Sequence, residues 1–116
     1  MGKLLIAFLL VGAVHAAAQS PQMRGPDCSG GWPTNMAQAS LKNAGELNNE
    51  EIDFTKTKTI RLASEEVCKD LWHQVYFVTF FKKSGDKIQA VVVHDASIEE
   101  CSMTGVQVYV VSRVLK

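Results

Sequence analysis

The sequence predicts an α+β fold in which one helix packs on a four-stranded antiparallel meander sheet. Three observations carry that expectation. A single stretch of helical periodicity has its own start and stop signals. Runs rich in β-branched and aromatic residues follow it, and a Lys-Lys-Ser-Gly-Asp-Lys turn joins two of them. At 116 residues the chain has room for one core, and 47% hydrophobic content argues against disorder. Basic and acidic residues balance at 12 each, which leaves no broad electrostatic footprint for nucleic acid.

Residues 1–18 read as a secretory signal peptide: Lys3, the apolar run Leu4 to Val11, then small residues as far as Ala18. That run is too short to favour a membrane span, and no second run of spanning length follows, so the expected mature chain is exported, extracellular and soluble. Cleavage after Ala16 or Ala18 satisfies the small-residue rule. Residues 19–31 (QSPQMRGPDCSGG) lack periodicity and read as a flexible leader, and residues 32–116 form the domain.

Pro33, the capping candidates Thr34 and Asn35, and Gly45 as a stop signal bracket a helix from about Asn35 to Ala44. Met36, Ala37, Leu41 and Ala44 make its narrow apolar stripe. Thr55, Thr57, Thr59, Ile60 and Leu62 suggest a first strand that is wet at its start. Leu71 to Phe81 carries large side chains on both faces as a central second strand. Lys82 to Lys87 is a solvated hairpin tip; Ile88 to Val93 and Val106 to Leu115 are the third and fourth strands. The segments Ser64 to Asp70 and Asp95 to Gly105 read as loops. Apolar positions on both faces of the second and fourth strands imply cover, or a partner, on the face away from the helix.

Connectivity then places function. In a meander the first and third connections share one pole, and the helix start lies there with its leader. Gly30, Gly31 and Trp32 are thereby set beside both loops as a three-part edge. Trp32 is an aromatic anchor for a partner or a cover for the open core. All three cysteines, Cys28, Cys68 and Cys101, fall at this pole. In an oxidising compartment an odd count means one disulfide and one spare thiol, which could link two chains. No spacing among them supports a metal site. His73, His94, Asp95, Glu99 and Glu100 could assist a cysteine nucleophile, but no nucleophile signature surrounds Cys68 or Cys101. No catalytic residue, cofactor or metal is assigned, and the protein is not expected to be an enzyme.

A leader with Gly30-Gly31-Trp32, a helix and a four-stranded sheet resemble the cystatin superfamily of cysteine-peptidase inhibitors in its short stefin-like layout. Ile60-Arg61-Leu62-Ala63 with Val67, Tyr76-Phe77, Ser84-Gly85-Asp86-Lys87 and Thr104-Gly105-Val106-Gln107-Val108 carry the likeness. The resemblance implies a secreted inhibitor that blocks the cleft of a papain-like cysteine peptidase. Its partner-binding residues would be Gly30, Gly31 and Trp32, then Glu66, Val67, Lys69 and Asp70, then His94, Asp95, Ala96 and Ser97. Glu66-Val67-Cys68-Lys69-Asp70 stands where the family has Gln-x-Val-x-Gly, and His94 to Ser97 where it has Pro-Trp. Burying Lys69 and Asp70 in a cleft costs free energy, and an aspartate gives up glycine's access to positive φ. The resemblance implies that Cys68 and Cys101 lie in its two loops, where a Cys68–Cys101 disulfide would staple them together, with Cys28 to either as the alternative. A non-inhibitory cystatin-fold module binding another extracellular protein, and an unrelated small secreted effector or toxin, are the other readings.

Overall fold

The computed structural model describes residues 23–111. The signal peptide expected at 1–18, the first leader residues and the end of the expected fourth strand lie outside the described residues. The elements are α1 (Trp32–Asn43), two single-turn 3-10 segments (Asn49–Glu51 and Phe54–Lys56), β1 (Lys58–Cys68), β2 (Leu71–Phe81), β3 (Lys87–Ala96) and β4 (Gln107–Val111). The strands form one antiparallel sheet in the order β1-β2-β3-β4, and α1 lies against β2, β3 and β4. This is the expected α+β meander, and it is compatible with a cystatin-like layout.

Helix α1 starts at Trp32, earlier than Asn35. Gly31 is the N-cap and offers no side-chain bond, while Pro33 occupies the first turn, where a missing N–H costs nothing. Thr34 is not the cap: its hydroxyl donates to Ser29 O at 2.6 Å and meets Thr59 Oγ1 at 2.7 Å, tying the helix start to β1. The stop signal works as expected. Gly45 takes φ 76°, Glu46 N donates to Leu41 O at 2.9 Å, and Gly45 N donates to Lys42 O at 3.0 Å, a Schellman closure. Pro33, Ala37 and Leu41, four residues apart, form the buried stripe.

Strand β2 has the expected bounds, but β1 and β3 run further. β1 continues to Cys68 through most of the expected loop, because an edge strand with solvated faces accepts Ser64, Glu65 and Glu66. β3 continues through Ala96. Lys69 and Asp70 are left as a tight turn, and Asp70 takes φ 52°. The expectation that aspartate would forfeit this conformation is thus corrected: aspartate is among the few side chains that enter the left-handed region. Its Oδ1 also accepts a hydrogen bond from Ile98 N at 2.9 Å, which fixes the turn.

Alternation along the central strands sorts the two faces. Tyr76, Val78 and Phe80 of β2 and Ala90, Val92 and Ala96 of β3 face the helix side and form the core with Ala37, Leu41, Leu47 and Ile52. Tyr76 pairs with Val92 and Val78 with Ala90, so large residues on β2 meet small ones on β3. The large core side chains each contribute about 1.5–3 kcal/mol by leaving water.

Candidate functional site

The candidate site is the pole where the leader, the β1–β2 turn and the β3–β4 connection meet, and its assembly begins with buried polar residues. Gln74 on β2 faces the core side and needs partners. Its Nε2 donates to Pro26 O at 2.6 Å and to Ser64 Oγ at 3.0 Å, and its Oε1 accepts from Tyr76 Oη at 2.7 Å. Tyr76 Oη in turn accepts from Cys28 N at 2.9 Å. Burial pushes the Tyr76 phenol above its ordinary value, opposed by the Cys28 N–H and by Arg61. Arg61 donates to Gly25 O at 3.0 Å, Pro26 O at 2.7 Å and Met23 O at 3.3 Å. The segment read as a flexible leader is therefore held on the sheet from Met23 onward. Gly25, at φ 90°, lets the chain cross Trp72: a Cβ there would fall 2.6 Å from the indole. Arg24 stacks over the same ring at 5.7 Å.

The disulfide joins Cys28 to Cys101, with Cα atoms 5.8 Å apart, so the favoured Cys68–Cys101 pairing is corrected. The leader, held on the sheet as a strap from Met23 to Cys28, explains the choice. Cys28 is drawn into the core by the Tyr76 bond, and Cys101 packs against that core, whereas Cys68 ends the edge strand as an exposed free thiol. The bond locks the leader to the β3–β4 connection. Trp32 Nε1 adds a second tie, donating to Thr104 O at 3.3 Å, and Asp70 joins the β1–β2 turn to the same connection through Ile98. All three segments are thus physically linked at one pole.

The individual residues fare differently. Gly30 is exposed and Gly31 partly exposed in the turn before α1, and Trp32 is half-buried. Glu66, Val67, Lys69 and Asp70 are exposed, with Val67 50% accessible. His94, Ala96 and Ser97 are buried on the inner side of β3 and its end, so of that expected group Asp95 alone keeps an outward side chain. Extension of β3 through Ala96 is the reason: it draws these residues into the sheet. The accessible apolar residues of the connection are Ile98 (64%) and Met103 (47%), which sequence reasoning missed. Their signal was legible as two large apolar side chains inside an otherwise polar loop.

Asp95 and His73 pair across β2 and β3. His73 Nδ1 donates to Asp95 Oδ1 at 2.6 Å, since a carboxylate only accepts, while Asp95 N donates to Thr104 Oγ1 at 2.9 Å. A shallow cavity of about 240 Å³ beside them is lined by Val93, Thr104, Gly105 and Gln107. His94 packs inward at 5.5 Å from the Tyr76 ring, with neither ring nitrogen in hydrogen-bonding geometry. Burial pushes its pKa below the ordinary histidine value; the Cys101 backbone and Asp95 oppose this only in part. Among the described residues no group of His, Cys, Asp and Glu could hold a metal ion, and no helix is long and apolar enough to cross a membrane. A wider depression, about 600 Å³, lies away from the pole, between the end of α1 and Lys82. No family model, curated protein or solved structure matches this chain.

Proposed function

We propose that this is a secreted cystatin-like binding protein whose pole docks on an extracellular protein, with the cleft of a papain-like cysteine peptidase as the first partner to test. The observation that supports this reading most is the linkage of three separate segments, by the Cys28–Cys101 bond and the Trp32 and Asp70 hydrogen bonds, beneath exposed Val67, Ile98 and Met103. A pre-linked edge loses little conformational entropy on binding, and exposed apolar side chains supply the desolvation that drives it. Inhibition would be steric, with no bond made or broken. The intramolecular disulfide fits an oxidising, extracellular setting.

A second reading, a non-inhibitory binding module, is favoured by the chemistry of the pole. Glu66, Lys69, Asp70, Glu99 and Glu100 are exposed there, and charges of this density resist burial in a narrow cleft. A tight-binding titration of oxidised protein against a papain-like peptidase separates the two. Stoichiometric inhibition that weakens at least about tenfold with Val67→Asp supports the inhibitor; no inhibition at micromolar protein leaves the module and removes the inhibitor.

A further inference from the structure

The face of the sheet turned away from α1 is apolar where a solvated face should be polar. On an antiparallel sheet covered on one side, outward positions are normally polar. Here Ile60, Phe77, Val91 and Tyr109, one from each strand, are paired in register across the whole sheet. Val75 and Val93 pair with each other one step along the same face. Ile60 is 57% and Tyr109 55% accessible, and α1 packs on the opposite face.

Charge on this face is divided by end. At the β2–β3 turn end, Lys58 and Lys87 both stand over the Phe81 ring, at 5.8 and 5.6 Å. At the pole end, Glu65 is opposite His73, which pairs with Asp95. Two such faces stacked about a two-fold axis, strands running oppositely, would place Lys58 and Lys87 of each copy over Glu65 and Asp95 of the other. The apolar row would meet itself in the middle. A parallel stacking would instead oppose like charges at both ends.

We propose that this face is the interface of a homodimer, occupied by a second copy of the same chain in face-to-face, antiparallel sheet packing. The pattern is self-complementary in the way an isologous interface requires, and packed sheets keep their strands within about 30° of alignment. The tips of the two poles then point away from each other, while the His73–Asp95 pair at each pole lies beneath the lysines of the other copy. The inference is independent of what the pole binds.

The test is sedimentation equilibrium over a concentration series, using the oxidised Cys68→Ser chain so that no intermolecular disulfide contributes. A reversible monomer–dimer equilibrium is expected. Val91→Lys, on a central strand that edge-to-edge pairing would not involve, should raise the dissociation constant at least about tenfold, with an unchanged circular-dichroism spectrum as the folding check. Lys58→Glu should weaken the dimer, and the double exchange Lys58→Glu with Glu65→Lys should restore it by exchanging the charges at both ends. A chain that stays monomeric on the order of 100 μM overturns the proposal. So does a dimer indifferent to Val91→Lys, which would point to edge pairing, and so does failure of the charge exchange to rescue.

Discussion

His94 is buried in a protein whose other core side chains on β3 are small and apolar, and neither ring nitrogen is in good hydrogen-bonding geometry. Its folded pKa lies below the ordinary 6.5. The unfolded chain therefore takes up a proton first as pH falls, and stability present above about pH 6.5 is lost as pH drops toward the folded value. His94→Leu should flatten the dependence of urea midpoint on pH as pH falls below about 6.5; an unchanged slope would show that His94 does not titrate on unfolding. The Asp27 carboxyl, held low chiefly by its hydrogen bonds to Ser29, adds a separate loss only below 3.8. Gly25 makes a second residue-scale test. Ala at this position meets the Trp72 ring and a positive φ together, and should cost about 1–3 kcal/mol in denaturant unfolding. Gly30→Ala, where a Cβ meets open space, is the control and should cost much less. Neither role was legible in the sequence: a lone histidine and a leader glycine acquire them only through what the fold stacks above.

The leader is the element that sequence periodicity describes least well. Its order comes from side chains of other elements, since Arg61 of β1 and Gln74 of β2 satisfy the carbonyls of Met23, Gly25 and Pro26. No local pattern within QMRGPDC reports that. Arg61→Met should speed hydrogen exchange at residues 24–30 while leaving β2–β3 amides protected; uniform exchange across the sheet would mean that Arg61 supports the fold rather than the strap. Strand limits show the same dependence on context. β2, buried and aromatic, was readable to its ends, whereas β1 hides its second half behind Ser64, Glu65 and Glu66, which only edge position makes compatible with a strand. The helix stop at Gly45 was plain because one residue type meets the geometry. Its start was not, because Gly31 caps without a side chain and Thr34 is used elsewhere.

On the scale of the molecule, the α+β meander and the meeting of three segments at one pole followed from element order alone, since strand direction dictates which connections are neighbours. The pairing of cysteines did not follow, because three thiols at one pole satisfy topology in more than one way. What decides it is burial: Cys28 and Cys101 belong to the core and Cys68 to the surface. The disulfide closes a loop spanning 73 residues, so replacing both of its cysteines by Ser should cost about 2–5 kcal/mol, and Cys68→Ser close to nothing. The assembly of the pole rests on this bond, which alone among the described residues links the leader to the β3–β4 connection by a disulfide. Tryptic mapping without reduction, after alkylation of free thiols, tests it directly because Arg24, Lys42, Arg61, Lys69, Lys87 and Arg113 place each cysteine in its own peptide. The expected result is a disulfide-linked pair of peptides carrying Cys28 and Cys101, with Cys68 alkylated. A linked pair carrying Cys68 and Cys101, with Cys28 alkylated, would contradict the assembly of the pole described above.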